Sequence, residues 1–201
     1  MIKLADILNE IGEGVKPFPF RLWGTYDVKY WQDYLRDFNV DVDGLTDPED
    51  RVYANYKIDK NIGYEFDSEK EKYYVSIGGR GKGVVDPAKA GYRWSITARV
   101  DFGTKERGDD TTNLGEQFAV MSTVVAIVKD FVKKMNADKD YRVNRLEFFP
   151  KRDKGEDPYS GPLGTKRGKM YMAYIHKQLP SFEGQWKIRD GFDNIVIERQ
   201  D

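Results

Sequence analysis

The sequence predicts one α+β domain, in which a mostly antiparallel central sheet is covered by a long helix and a second helix. Short runs in the middle of the chain alternate aromatic or β-branched residues with polar ones, which is typical of antiparallel strands. Two later segments, at about 115–135 and 166–179, repeat apolar residues at steps of three and four, which is typical of amphipathic helices. An amphipathic helix buries its apolar stripe against another element, so both helices are expected to pack on the sheet.

Local signals predict the elements that precede the sheet. Residues 2–11 are expected to form a short amphipathic helix that is stopped by two glycines. With the proline-broken arm that follows, this helix makes up an N-terminal region, 1–26, of a single domain, 1–201. A second helix is predicted near 27–38, with Asp27 as its N-cap.

Three or four antiparallel strands are predicted in the middle of the chain. In the clearest of them, residues 94–102, apolar side chains alternate with Ser, Thr, Arg and Asp. Successive side chains of a strand point to opposite faces, so one face of the sheet is expected to be apolar and the other polar. The candidate strands carry the sequences VYANYKI, IGYEF, KYYVSIGG and YRWSITARVDF.

Residues 78–83 read GGRGKG, the most motif-like string in the chain. A phosphate loop places convergent backbone amides at the start of a helix, but here one strand precedes the string and another follows Pro87 and Gly91. We therefore predict an exposed, glycine-rich connection between two antiparallel strands. From that connection, Arg80 and Lys82 are expected to contact a polyanionic partner.

A long polar segment separates the strand predicted at 143–149 from the helix at 166–179, and one or two strands around Asp190–Gly191 close the chain. This segment is the best candidate binding loop, because its cations flank a tyrosine that offers a stacking face to a phosphate-bearing partner. A solvated hairpin suits the same charges and glycines, and charge runs favour that interpretation. The predicted contacts are Lys151, Arg152, Tyr159, Lys166 and Arg167.

Composition excludes several kinds of site. The chain has no cysteine and one histidine, His176, which excludes disulfides, zinc–thiolate sites and multi-histidine metal sites. His176 is expected at the surface, near the end of its helix. Residues 39–50, NVDVDGLTDPED, match part of the EF-hand calcium pattern and also suit an Asp-rich connection with Asx turns. We predict no resident metal or cofactor, and the calcium alternative stays open.

From about residue 27 to 198, the order of elements resembles that of the GNAT N-acetyltransferases: helices, three antiparallel strands, a long helix, a strand, a helix and terminal strands. The resemblance implies that acetyl-CoA would place its pyrophosphate on a glycine-rich turn where a strand leads into the long helix. The corresponding residues here, 103–116, include Asp109, Asp110 and Glu116, which would repel a pyrophosphate.

Several segments also look like uncharacterised proteins of tailed phages. They are LNEIGEG, GEQFAVMSTVVAIVKDF, VNRLEFFP and KRGKMYMAYIHKQLP. We therefore expect a non-enzymatic, phage-type accessory or virion-associated protein that binds protein or nucleic acid through exposed loops. The alternative is a divergent GNAT-like acetyltransferase that uses acetyl-CoA.

The expected location is the cytoplasm of a host cell or a virion. The opening MIKLADILNE has charges among its apolar residues, so no signal peptide is predicted, and no apolar stretch approaches the ~20 residues that span a membrane. The net charge of −1 means that a polyanionic partner would have to meet a local basic patch.

Overall fold

The computed structural model describes residues 15–38, 55–84, 86–104, 116–150, 155–157, 161–191 and 193–200. These residues form eight strands and four α-helices, which confirms an α+β domain with a mostly antiparallel sheet. The helix predicted at 2–11 and the candidate calcium loop at 39–50 lie outside the described residues. The strands are β1 Phe20–Leu22, β2 Asn55–Lys57, β3 Ile62–Asp67, β4 Lys72–Gly83, β5 Trp94–Thr104, β6 Tyr141–Phe148, β7 Trp186–Asp190 and β8 Ile195–Arg199; the helices are α1 Val28–Asp37, α2 Pro87–Ala90, α3 Gln117–Asn136 and α4 Lys166–Gln178.

The strands form one sheet in the order β1-β3-β4-β5-β6-β8-β7, and β2 also pairs with β4. The pair β5 and β6 is parallel, because α3 carries the chain back between them, and the other pairs are antiparallel. Strand β4 pairs with β3 along its first half and with β2 near its end. Between β2 and β3, residues 58–61 form a bend that lies beside Gly78 and Gly79 of β4.

Helix α1 begins at the predicted cap. Asp27 accepts a hydrogen bond from the backbone N–H of Tyr30 at 3.0 Å, which satisfies one of the donors left without a partner at a helix start. Val28, Trp31 and Leu35 are buried at steps of three and four residues, so one stripe of the helix enters the core.

The two helices predicted in the second half of the chain are confirmed as α3 and α4. Phe131 of α3 meets Trp31 of α1 edge to face, with ring centroids 5.4 Å apart, and both rings are fully buried. Tyr171 of α4 packs on Phe102 of β5 at 5.5 Å. Helices α1, α3 and α4 therefore share one hydrophobic core with one face of the sheet.

The prediction that residues 78–83 form an exposed connection is wrong, because they continue β4 to its last residue. Gly79 and Gly81 face the helices, where a Cβ would lie 2.5 Å from Cη2 of Trp31 and 2.6 Å from Cδ2 of Leu35. Glycine therefore lets α1 approach the strand closely, a role that outweighs its weak intrinsic preference for strands.

The chain turns after β4 through α2. The backbone N–H of Val84 donates to the carbonyl of Arg93 at 2.7 Å, and Asp86 caps the single turn of α2. Gly91 ends that turn at a φ of 73°, a left-handed conformation that glycine adopts without a steric penalty. At the other end of the chain, β7 and β8 confirm the strands predicted around residues 190 and 191.

Alternation along β5 divides the sheet into two faces, as the sequence predicts. Trp94, Ile96, Ala98 and Val100 are buried, whereas Ser95, Thr97, Arg99 and Asp101 are partly or largely exposed. On β4, the residues that pair with this second set are Ser76, Gly78, Arg80 and Lys82. We call this side of the sheet the polar face. It includes these two sets of residues and the residues that pair with them on neighbouring strands.

Candidate binding face of the sheet

Two adjoining cavities lie on the polar face. One has a volume of about 620 Å³ and is lined by charged residues of β2, β4, β5 and β6, and we call it the basic cavity. The other has a volume of about 500 Å³ and is lined largely by aromatic residues and glycines, and we call it the aromatic cavity. Asn61 and Asp101 line both cavities, so the two share a border, and we call the pair of cavities the groove.

The cationic side chains that line the basic cavity come from three strands. Lys57 of β2, Arg80 of β4 and Arg99 of β5 line it, together with the carboxylates of Asp101 and Glu147. The side chain of Arg80 is 54% exposed, so its guanidinium group is accessible to a partner.

A row of alternating charges crosses the sheet next to this cavity. Arg80 lies 3.9 Å from Glu147, and Arg145 contacts both Glu147 and Glu198 at 2.7 Å. Glu198 contacts Arg189 of β7 at 3.1 Å. Each carboxylate is thus shared by two arginines, and an arginine stands at each end of the row.

A bulge in β6 directs Arg145 into this row. Val143 pairs with Ile96 of β5, but the next pair joins Arg145 to Thr97, so Asn144 is the extra residue. The side-chain amide of Asn144 donates to the hydroxyl of Ser95 at 2.9 Å, which ties the bulge to the polar face.

Arg99 is fixed from two sides. Its Nε and Nη2 atoms donate to the two carboxylate oxygens of Asp101 at 2.9 and 3.1 Å. Its Cζ atom lies 4.2 Å from the centroid of the Phe149 ring, a cation–π distance. Phe149 directly follows β6, so the end of that strand brings the aromatic ring to Arg99.

The aromatic cavity is walled by a Trp–Tyr pair. The rings of Trp23 and Tyr74 meet edge to face, with centroids 5.3 Å apart. The backbone N–H of Trp23 donates to the carbonyl of Gly63 at 2.8 Å, and a Cβ at Gly63 would lie 3.0 Å from Cε3 of the indole. Trp23 is nevertheless 59% exposed.

Helix α1 holds the 58–61 bend that borders both cavities. The indole N–H of Trp31 donates to the carbonyl of Lys60 at 2.9 Å, and the hydroxyl of Tyr30 donates to Asp59 at 2.7 Å. The hydrogen bond to Asp59 raises the pKa of Tyr30 to about 12. At the end of the bend, the amide of Asn61 donates to the hydroxyl of Ser76 at 3.0 Å.

Of the contacts predicted from the sequence, the structure describes the side chains of two. Arg80 and Lys82 are exposed on the polar face, although they project from a strand rather than from a loop. Lys166 and Arg167 begin α4, and their side chains lie outside what the structure describes. Lys151, Arg152 and Tyr159 also lie outside the described residues.

Sequence reasoning missed most of the groove. The alternation along β5 did place Arg99 and Asp101 on the polar side, but no local pattern links them to Trp23 or Asn61. His176 is exposed in the last turn of α4, as predicted.

Within the described part of the chain, no cluster of His, Asp and Glu is arranged to hold a metal ion. In the same part of the chain, we find no helix with the length and apolar character needed to cross a membrane. Comparisons with protein-family models, curated proteins and solved structures found no match.

Proposed function

We propose that this protein is a non-enzymatic accessory protein that binds single-stranded nucleic acid through the polar face of its sheet. One observation carries the proposal: exposed arginines and aromatic rings lie side by side along a single groove. Proteins that bind single strands commonly combine a basic track for phosphates with aromatic rings on which bases stack.

The arginines suit phosphate because several of them are already oriented. Glu147 and Glu198 are only 14% and 22% exposed, and they hold Arg145 in a fixed position between them. A guanidinium group held in this way loses less conformational freedom when it binds a phosphate oxygen. Arg80 contacts Glu147 more loosely, so its guanidinium group is the more available of the two.

The carboxylates on the polar face do not cancel the attraction of its arginines for phosphate. Glu147 and Glu198 are each shared between two arginines, and Asp101 bonds to Arg99, so the row from Arg80 to Arg189 retains a positive excess. Lys82 and Lys57 add further cations on the same side of the sheet, since Lys82 pairs with Ser95 of β5 and Lys57 pairs with Arg80. A phosphate backbone that follows β4 would therefore meet cations along the second half of the strand.

The alternative is a divergent GNAT-like acetyltransferase, which the order of elements favours. Strand β5 leads towards α3, and β6 returns parallel to β5. At the start of α3, however, Glu116 occupies the N-cap position, and its carboxylate accepts a hydrogen bond from Ser68 at 2.9 Å. A carboxylate there competes with a pyrophosphate for the positive end of the helix, which supports nucleic-acid binding over acetyl transfer.

The phage-type role and the GNAT-like scaffold rest on the sequence resemblances. They are compatible with the proposal but are not the basis for it, since an accessory protein of this kind would meet nucleic acid in a host cell or in a virion. Lys151 and Arg152 follow Phe149 closely in the sequence, and the ring of Phe149 contacts Arg99, so these two cations are proposed as further contacts to the same nucleic acid.

A titration with a fluorescent oligonucleotide tests the proposal. A random single strand of about 16 nucleotides covers the upper site size of small single-strand-binding domains. Replacing Arg80 and Lys82 together by Gln should weaken binding and reduce the slope of log affinity against log salt by about 1.4, the value for two lost contacts to a single strand. The matched control replaces Lys133 and Lys134 of α3 by Gln, which removes the same charge from the helical layer.

Circular dichroism first has to show that each variant is folded, and the binding data then support or overturn the proposal. Weaker binding in the polar-face variant, with unchanged binding in the α3 variant, supports the proposal. Equal losses in the two variants, or an oligonucleotide that does not bind the wild-type chain, would overturn it. Capture of a protein partner that depends on Arg80, with no binding of the oligonucleotide, would also overturn it.

A further inference from the structure

We infer that the aromatic cavity is a base-binding subsite that takes one unpaired nucleobase against Trp23 and prefers bases with an exocyclic amino group. This inference rests on the proposed function, because it assigns one part of the same groove to one part of the nucleotide.

Trp23 has the properties of a preformed stacking wall. Its backbone is fixed by the hydrogen bond to Gly63, and its ring lies against Gly63 and meets Tyr74 at 5.3 Å. The side chain still exposes 59% of its surface, although water around a large apolar ring is unfavourable. A rigid and exposed indole can bind a planar ring without a large loss of its own entropy.

The cavity has room for a base. Its volume of about 500 Å³ lies within the usual range for small-ligand sites, which is about 300–1,000 Å³. Gly63, Gly103 and Ser76 contribute small or absent side chains to its lining, so a flat ring can approach the backbone closely. The glycines therefore shape the cavity for a planar occupant.

The polar groups at the junction of the two cavities indicate which bases fit. Asn61 Nδ2 donates to Ser76, and its Oδ1 atom lies over Gly78, at the border with the basic cavity, where it can accept. The carboxylate of Asp101 accepts from Arg99 and keeps further acceptor positions. Two acceptors at one rim match the amino group of cytosine, adenine or guanine, which thymine and uracil lack.

The same two residues connect the base to the phosphate track. Asn61 and Asp101 also line the basic cavity, where Arg80 and Arg99 lie. Tyr74 and Arg80 stand six positions apart on β4, which is about 20 Å at the rise of an antiparallel strand. A base at Trp23 and phosphates along β4 can therefore belong to one short strand.

Quenching of tryptophan fluorescence by mononucleotides tests this subsite. Trp31 and Trp94 are buried, so Trp23 should give most of the response to deoxycytidine monophosphate. The Trp23 variants lack the reporting indole, so their affinity is measured with the fluorescent oligonucleotide. Replacing Trp23 by Ala should weaken that binding about ten-fold or more, the usual effect of losing one stacked base, whereas Trp23→Phe should retain part of it. Trp186→Phe on β7 is the matched control and should leave binding unchanged. Thymidine monophosphate should bind at least about five-fold more weakly than its cytidine counterpart.

A phosphate-only polymer separates this inference from the proposed function. Inorganic polyphosphate should bind the Trp23→Ala variant as well as it binds the wild type, and it should bind the Arg80→Gln, Lys82→Gln variant more weakly. If Trp23→Ala leaves oligonucleotide binding unchanged while the basic variant loses it, the base subsite is wrong and the proposed function stands. If mononucleotides quench Trp23 but no oligonucleotide binds, the proposed function is wrong. Equal affinity for the two mononucleotides would overturn the base preference.

Discussion

The indole of Trp31 occupies the space that a side chain at Gly79 would need, because a Cβ there would lie 2.5 Å from Cη2 of that ring. The carbonyl oxygen of Thr97 lies 2.8 Å from the same position. The string GGRGKG therefore serves two purposes on one strand. Its inward glycines seat α1, and its outward cations supply the polar face.

Replacing Gly79 by Ala should destabilise the fold. The added methyl group meets an aromatic ring and a backbone carbonyl, neither of which can move without disturbing the core, and overpacking of this kind costs about 1–3 kcal/mol. Urea denaturation should show a lower midpoint with an unchanged slope.

Gly78→Ala is the matched control for this prediction, because the neighbouring residue of the same strand faces the other side of the sheet. A Cβ there would lie 2.9 Å from Oδ1 of Asn61, the end of a side chain that can rotate away. We expect a smaller loss of stability than in Gly79→Ala. An equal or larger loss would contradict the assignment of the two glycines to different faces.

Arg145→Gln should lower stability more than the loss of an exposed ion pair does. Arg145 bonds to Glu147 and Glu198 at 2.7 Å, and both carboxylates are largely shielded from water. The substitution leaves them without their shared partner, which should cost about 1–3 kcal/mol in the free energy of unfolding. Chemical denaturation near neutral pH measures this loss.

Lys29→Gln provides the comparison for Arg145. Lys29 lies 2.6 Å from Asp33, but the two side chains are 73% and 43% exposed. Pairs on an exposed helix surface contribute about 0.3–0.5 kcal/mol, so this variant should unfold at nearly the wild-type denaturant concentration. Similar losses in the two variants would show that shielding from water does not set the strength of these pairs.

The periodic parts of the chain were predictable, whereas the groove was not. Helices α1, α3 and α4 follow from apolar residues at steps of three and four, and the two sides of β5 follow from simple alternation. Residues 78–83 were predicted to connect two strands because glycine commonly interrupts strands. The glycines are needed here because the indole of Trp31 packs directly on the strand, and the local sequence does not indicate that contact. The groove joins Trp23, Asn61 and Asp101 through strand pairings that are far apart in sequence, and no local pattern encodes them.

The hydrogen bond from Tyr30 to Asp59 should make stability depend on alkaline pH. The folded-state pKa of Tyr30 is about 12, above the ordinary value of about 10 that the unfolded chain should show. The contribution of this phenol is therefore complete below pH 10 and is lost as the pH rises towards 12. The gap in unfolding free energy between the wild type and Tyr30→Phe should be constant up to about pH 9 and then narrow.

Other tyrosines act in the same direction, so the comparison between the two chains is the informative measurement. Burial raises the pKa of Tyr64 and of Tyr141, and both remain in the Tyr30→Phe variant. Both chains should therefore lose stability at high pH, and the wild type should lose more. A gap that stays constant or widens above pH 10 would mean that the phenol of Tyr30 does not donate to Asp59 in solution.

Acetyl-CoA and an oligonucleotide should have different effects on the melting temperature. A ligand that binds only the folded state raises the melting temperature according to its concentration relative to its dissociation constant. We expect the oligonucleotide to produce a shift and acetyl-CoA at about millimolar concentration to produce none, because Glu116 places a carboxylate at the start of α3. Glu116→Gln serves as the matched variant, since it removes that charge and keeps a group that can accept the hydrogen bond from Ser68. A shift of several degrees with acetyl-CoA in the wild type, increased in Glu116→Gln, would favour acetyl transfer, since only a pyrophosphate near that helix start would respond to the lost charge.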